Sequence, residues 1–371
     1  MRLLDAQAIT DIALGSSILG AGGGGDPYLG RLLAHQSVGD RGPVRLVTAA
    51  EVHNEAAICF VAGMGAPGVL VEKLPRSNEI VAALRALERA TGTQMTHICP
   101  VEAGGLNALI PFVAAAESGL PMLDADGMGR AFPRLDLVTP TLYGGTSCPM
   151  AMVDEHGNEV ILRAASNAWA ELIARAAVVA SGCITMVACN VMSGTQAKRW
   201  LVHGVLTLAE QIGALVRAQQ AGGGDAVAAL VAHHRAVVLH RGTIRAVERR
   251  TEAGWTMGTA RSRGADEFTG TDLELDFQNE HLVARLDDAI VATVPDLIMV
   301  LSADSAEPIP AELLHFGQRV VVLAMPCDPH WHSSAGLALA GPRAFGYDID
   351  FRPVAGISAA GRPNERGLPD V

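Results

Sequence analysis

The chain has 371 residues and is 49% hydrophobic, enough to bury a large core, and since single cores stop growing near ~250–300 residues it is expected to divide into two domains. Lys and Arg total 28 against 39 Asp and Glu, a formal charge of -11 that opposes attraction to a phosphate backbone and sets nucleic-acid binding aside. Six scattered cysteines, no CxxC pair and a start reading MRLLDAQAIT without a signal-peptide pattern fit a reducing, cytoplasmic setting.

In chain order, apolar periodicity predicts a helix over 4–19, strands over 44–48 and 57–62, and a long helix over 78–90. Strand MTHIC (95–99), a helix over 108–117 and strand PMLD (121–124) continue in βαβ style. The fold class expected is therefore α/β, with a mainly parallel sheet flanked by helices in the N-terminal half. The segment SCPMAMVDEHGNEVILRA (147–164) reads as two strands joined at Gly157 and Asn158, and an N-terminal α/β domain is expected over 1–165.

A C-terminal domain over 166–371 follows, helical over 166–235 (with helices at 166–181 and 198–218) and carrying a β-rich mixed or antiparallel layer over 236–325. Its tail, including GPRAFGYDIDF (341–351), could return to the first domain. The uncharged stretch 176–196 is not read as a membrane span, because Ser181, Gly182, Thr185, Asn190 and Ser193 suit hydrocarbon poorly. A helix end, a buried strand CITMVACN (183–190) and a turn explain it better.

Three clusters carry candidate chemistry. In GAGGGGDPY (20–28), Gly22, Gly23, Gly24 and Gly25 could let backbone N–H groups converge on an anion, ahead of a helix starting near Pro27 with Asp26 beside it. A tight interhelical turn is the other reading. The loop lacks the Lys-Ser/Thr of a P-loop and the spacing of a dinucleotide fingerprint, so no nucleotide cofactor is expected. EAGGLN (102–107) and DADGMGR (124–130) each follow a strand, which brings Glu102, Asn107, Asp124, Asp126 and Arg130 to the carboxyl edge of the sheet, where ligands collect. Asp124 or Asp126 could instead cap a helix at GRAFP (129–133), with Arg130 neutralising it. CDPHWH (327–332) offers thiol, carboxylate and two imidazoles, a metal-capable set without zinc-finger spacing. Ser147 lacks a G-x-S-x-G elbow, so a Ser-His-Asp hydrolase is not indicated.

These motifs, with FQNE (277–280), PDLI (295–298) and GPRAFGYD (341–348), run in family order over nearly the whole chain. Together they resemble the S-methyl thiohydantoin desulfurase family, associated with hydantoinase and oxoprolinase systems. The resemblance implies a hydrolase acting on a small five-membered cyclic amide, releasing a thiol from C2 of the ring to give a hydantoin. Ring opening of a hydantoin or oxoproline-type lactam, or a non-catalytic ligand-binding subunit, are the alternatives. On chemical grounds Glu102, Asp126 and Asp328 are the expected catalytic groups. Gly22 to Gly25, Asp26, Asn107, Arg130, Asn279 and Arg343 are expected to bind substrate. Asp124, Asp126 and His332 are the expected ligands of a divalent metal such as zinc. Asp126→Asn is expected to stop turnover with the fold intact. The partner expected is the cyclic amide, with no nucleic acid and no membrane, and a homo-oligomer is compatible with this reading.

Overall fold

A computed structural model describes residues 1–65, 69, 77–252 and 255–354. The chain divides into two compact units, one of residues 1–16 and 24–213, the other of 17–23 and 214–371. The first unit opens with β1 (Arg2–Leu4), α1 (Ala6–Leu19), α2 (Pro27–Arg41), β2 (Val44–Val47), β3 (Ala57–Gly65) and α3 (Ser77–Thr91). Then come β4 (His97–Pro100), α4 (Ile110–Ser118), β5 (Met122–Leu123), β6 (Ala125–Asp126), α5 (Thr139–Leu142), β7 (Met150–Val153) and β8 (Glu159–Leu162). It closes with α6 (Asn167–Ala180), β9 (Ile184–Ser193), α7 (Gly194–Trp200), β10 (Val202–His203) and α8 (Val205–Gly222).

Its main sheet runs β1, β2, β5, β4, β3, β9, β7, β8. The central pairs β2–β5, β5–β4 and β4–β3 are parallel, and β9, β7 and β8 extend the sheet antiparallel beyond β3. The expected α/β sheet is thus a mixed one with a parallel centre. Strand β3 is buried almost throughout, as a central strand covered on both faces requires. Helices α3 and α4 pack on each other and on the sheet, α2 lies on α4, and α6 packs on β3, β8 and β9. Helices α1 and α8 meet backbone to backbone, since a Cβ on Gly15 would sit 1.8 Å from the Ala209 carbonyl oxygen.

Two local expectations change. The predicted helix over 198–218 is split, because β10 pairs antiparallel with β6 (Val202 opposite Asp126) and Gly204 takes φ 72° before α8 begins. Pairing across the fold overrides the helical period. No helix forms at GRAFP: residues 127–136 run as bends and turns, drawn round by side-chain bonds of Asp126. The suspected membrane stretch resolves into the end of α6, a left-handed Cys183 and β9. Among the described residues no helix is long and apolar enough to cross a membrane.

The second unit contains α9 (Ala226–His234), β11 (Val237–Glu252), β12 (Trp255–Gly264), β13 (Asp272–Gln278), β14 (Glu280–Leu286), β15 (Ala289–Thr293), β16 (Leu297–Ser302), β17 (Arg319–Met325) and α10 (Ser334–Ala340). The seven strands form one antiparallel half-barrel sheet in the order β15, β14, β13, β12, β11, β17, β16, the β-rich layer expected from the sequence. In β13, Leu273, Leu275 and Phe277 point into the core while Asp272, Glu274, Asp276 and Gln278 do not, the period-two pattern of a half-buried strand. Register shifts interrupt the pairing of β11 at Val238/His240 and Ile244/Ala246, and bulges of this kind bend long strands. The stretch 341–351 belongs to this second unit.

Candidate functional site

Strand β4 delivers Glu102 just past its carboxyl end, and β6 delivers Asp126 beside it. Both are buried, with Glu102 5% and Asp126 0% exposed. Asp126 accepts three backbone N–H groups, from Ala103 at 2.6 Å, Met128 at 3.1 Å and Gly129 at 2.7 Å. Burial pushes its carboxyl up to about 8 against those donors, with the Glu102 charge adding to the rise. Glu102 accepts from the Asn107 amide at 2.7 Å and from the Phe132 N–H at 3.3 Å. Burial raises Glu102 to about 7, while Asn107, Phe132 and the Arg130 guanidinium pull the other way. The Asn107 oxygen in turn accepts the Gly63 N–H at 2.8 Å, which fixes the amide so that its NH2 faces Glu102. Arg130 is wholly buried, its Nε on the Ala131 carbonyl at 2.9 Å and its guanidinium 4.6 Å over the Phe132 ring. Four of the residues singled out in the sequence thus meet at the expected edge of the sheet.

Asp124 does not join them. Its carboxylate takes the N–H groups of Leu206 at 3.0 Å and Thr207 at 3.1 Å and the Thr207 hydroxyl, closing the first turn of α8. It is a helix cap, but of α8 and not of a helix at GRAFP. Asp126 is also tied into the backbone by three N–H donors, one of which would face an NH2 group in Asp126→Asn.

The glycine loop serves close packing. Within the second unit, a Cβ on Gly22 would lie 2.4 Å from the His281 ring and one on Gly23 2.0 Å from the Glu280 carboxylate. Ala21 accepts the His281 N–H at 2.9 Å, and Gly22 accepts the Ala311 N–H at 2.9 Å. Within the first unit, Gly24 lies with φ 81° against Gly104 and Gly105, and its carbonyl accepts the Leu106 N–H at 2.9 Å. Asp26 caps α2 through the Tyr28 N–H at 2.8 Å, with Pro27 in the first turn as expected.

The remaining expected residues lie in the second unit. Asn279, with φ 57°, makes the turn between β13 and β14 and exchanges bonds with Thr256, its N–H on the carbonyl at 2.7 Å and its oxygen on the N–H at 2.9 Å. Arg343 is exposed and paired with Asp348 and Asp350. Asp328 caps the 3-10 turn Pro329–His332 through the His330 N–H and also holds the His330 ring. His332 reaches back to Asp296, its Nε2 3.0 Å from Oδ1. Asp296, Cys327 and His332 present carboxylate, thiol and imidazole atoms within 4.8 Å of one another, a group that could hold a metal ion. Asp124 and Asp126, the carboxylates expected with His332, belong to the first unit. Within the second unit the group around His332 is completed by Asp296 and Cys327, and Asp296 is the member that sequence reading passed over. Its signal was an acid at the head of the apolar run PDLIMVL (295–301).

An α/β unit with a buried carboxyl pair at its strand ends, and an antiparallel β unit with an Asp–Cys–His group, define a class of protein equipped for acid–base or metal-assisted chemistry. The chain belongs to the S-Me-THD-like family: its N-terminal domain description matches residues 7–164 and its C-terminal one residues 165–354. Family membership supports a thiohydantoin-related function and suggests an enzyme. The fold is shared with a protein from Chromobacterium violaceum solved by X-ray crystallography as a structural-genomics target, with a TM-score of 0.78 and 23% identity over 95% of this chain and 100% of that one. No curated protein matches it significantly.

Proposed function

We propose that the chain is a hydrolase that removes a thiol from C2 of an S-methyl thiohydantoin and leaves the hydantoin. The observation that carries this reading is the Glu102 carboxyl, which burial holds at about 7 at the end of a sheet strand. Near neutral pH such a group is present in both protonation states, so it can accept a proton from water and return it. Water then adds to C2 as Glu102 takes its proton. The tetrahedral adduct collapses by breaking the C2–S bond, and the proton goes to the departing thiolate. Thiolate leaves readily, since an alkanethiol, with a pKa near ~10 against ~8.5 for a cysteine side chain, is still a far stronger acid than an amine and needs little acid assistance. Asn107 positions the Glu102 carboxyl, and the Arg130 guanidinium supplies positive charge to balance its ionised form.

The test is thiol release from a panel of S-methyl thiohydantoins by the full chain and by Glu102→Gln. The variant should lose ~10²-fold or more in kcat, the scale of general acid–base catalysis. For the native chain kcat/KM should rise with pH through about 7, and that rise should vanish in the variant. Ring opening without thiol release would move the assignment to a hydantoin-type ring hydrolase. Affinity without turnover would make the chain a ligand-binding subunit.

A further inference from the structure

We infer that Asp296, Cys327 and His332 form a binding site for one divalent cation of the zinc class in the second unit. Three segments distant in sequence converge on it. Asp296 precedes β16 and is 0% exposed, Cys327 follows β17 and is 8% exposed, and His332 ends the 3-10 turn Pro329–His332. The group is held in place from behind. Asp296 Oδ1 accepts the Cys327 N–H at 2.9 Å and Oδ2 the Val354 N–H at 2.8 Å. Trp331, wholly buried, anchors the turn that carries His332, and the Phe351 ring lies 5.0 Å from the imidazole.

The spacing suits a small tetrahedral ion. Two nitrogen or oxygen ligands at ~2.0–2.1 Å from zinc stand ~3.3 Å apart, and Nε2 and Oδ1 here are 3.0 Å apart. A carboxylate and a thiolate together offset the two positive charges. Binding must release the Cys327 thiol proton, and the Nε2 proton of His332 must pass to Nδ1 or to solvent before that nitrogen can ligate. The donor types select against magnesium and calcium, which take six or more oxygens. Three protein ligands leave a fourth position for water. The side chain of His332 is 36% exposed, so that position is reachable from solvent.

The experiment uses the full chain, stripped by chelation and titrated with zinc and with cobalt(II) as a spectroscopic probe. Expected are one ion per chain and a sulfur-to-cobalt charge-transfer band. Cys327→Ser should abolish the band, and His332→Gln should weaken zinc binding by more than the ~10–100-fold typical of losing a mere supporting group. Cys148→Ser should change neither. His332→Gln is the safeguard should Cys327→Ser fail to fold, because His332 is partly exposed. Absence of the band in the native chain, or a native band and affinity in His332→Gln, overturns the proposal. Because binding is read without substrate, either result leaves the Glu102 hydrolase reading standing.

Discussion

Replacing Glu102 by Gln tests the central electrostatic claim without any substrate. Glutamine has the size and neutral charge of a protonated glutamic acid and keeps an oxygen for the Asn107 amide but turns an NH2 group toward the Phe132 N–H, so at pH 5 the variant should be less stable than the native chain by ~1–3 kcal/mol. Burial places the carboxyl at about 7 in the folded chain against an ordinary value of 4.5, so folding takes up a proton between those values. The stabilisation is full below the lower value, is lost as pH rises, and is gone above about 7. One proton per pH unit is worth ~1.4 kcal/mol, so the interval from 4.5 to about 7 corresponds to about 3 kcal/mol. Native stability should therefore fall relative to Glu102→Gln as pH rises, and by pH 8 the difference between the two should have moved in the variant's favour by up to that amount. Urea unfolding at pH 5, 6, 7 and 8 measures it. If the two proteins keep a constant difference across this range, Glu102 is ionised in the folded chain at neutral pH, and the acid–base argument fails with it.

Asp126→Asn should lower stability by ~1–3 kcal/mol, the cost of leaving one buried N–H of its three without an acceptor, read by the same unfolding assay. Gly105→Ala should cost ~2–4 kcal/mol, because its φ of 56° is left-handed and the new Cβ would meet the Gly24 backbone at 2.5 Å; a change under 0.5 kcal/mol would contradict that packing. Trp331→Ala removes a side chain with no exposed surface and should cost ~3–5 kcal/mol by denaturant titration.

Much of this was legible because period and composition act locally. The parallel centre follows from alternating apolar strands and helices, and the β-rich layer from strand composition, which in β13 takes a period of two that β14, buried along nearly its whole length, lacks. What was hidden depends on contacts between distant residues. Asp124 and Asp126 look equivalent two positions apart, yet Asp124 lies in the bend between β5 and β6 and binds the start of α8, while Asp126 ends β6 and binds the Ala103 and Met128 amides. Asp296 could not be joined to Cys327 from sequence, since the link is a hydrogen bond between the start of one strand and the end of its neighbour. The split near Gly204 was hidden for the same reason: β10 exists only because β6 is there to pair with it.

The glycine run is where the physical account changes most. Read as sequence, four successive glycines suggested a cradle for an anion. In the structure they are required by what stands against them: His281 and Glu280 at Gly22 and Gly23, and the Gly104–Gly105 backbone at Gly24. The motif GAGGGGDPY therefore touches each of the motifs EAGGLN and FQNE, which carried the resemblance as separate stretches. The first contacts the second within one unit and the third within the other. The division between the two units falls between Gly23 and Gly24, so this one loop supplies close contacts to both cores. Gly105 immediately follows the Glu102–Gly104 turn that carries the proposed base. A side chain at Gly24 or Gly105 would push on that turn, so turnover should suffer from such substitutions even though neither residue touches the reacting atoms.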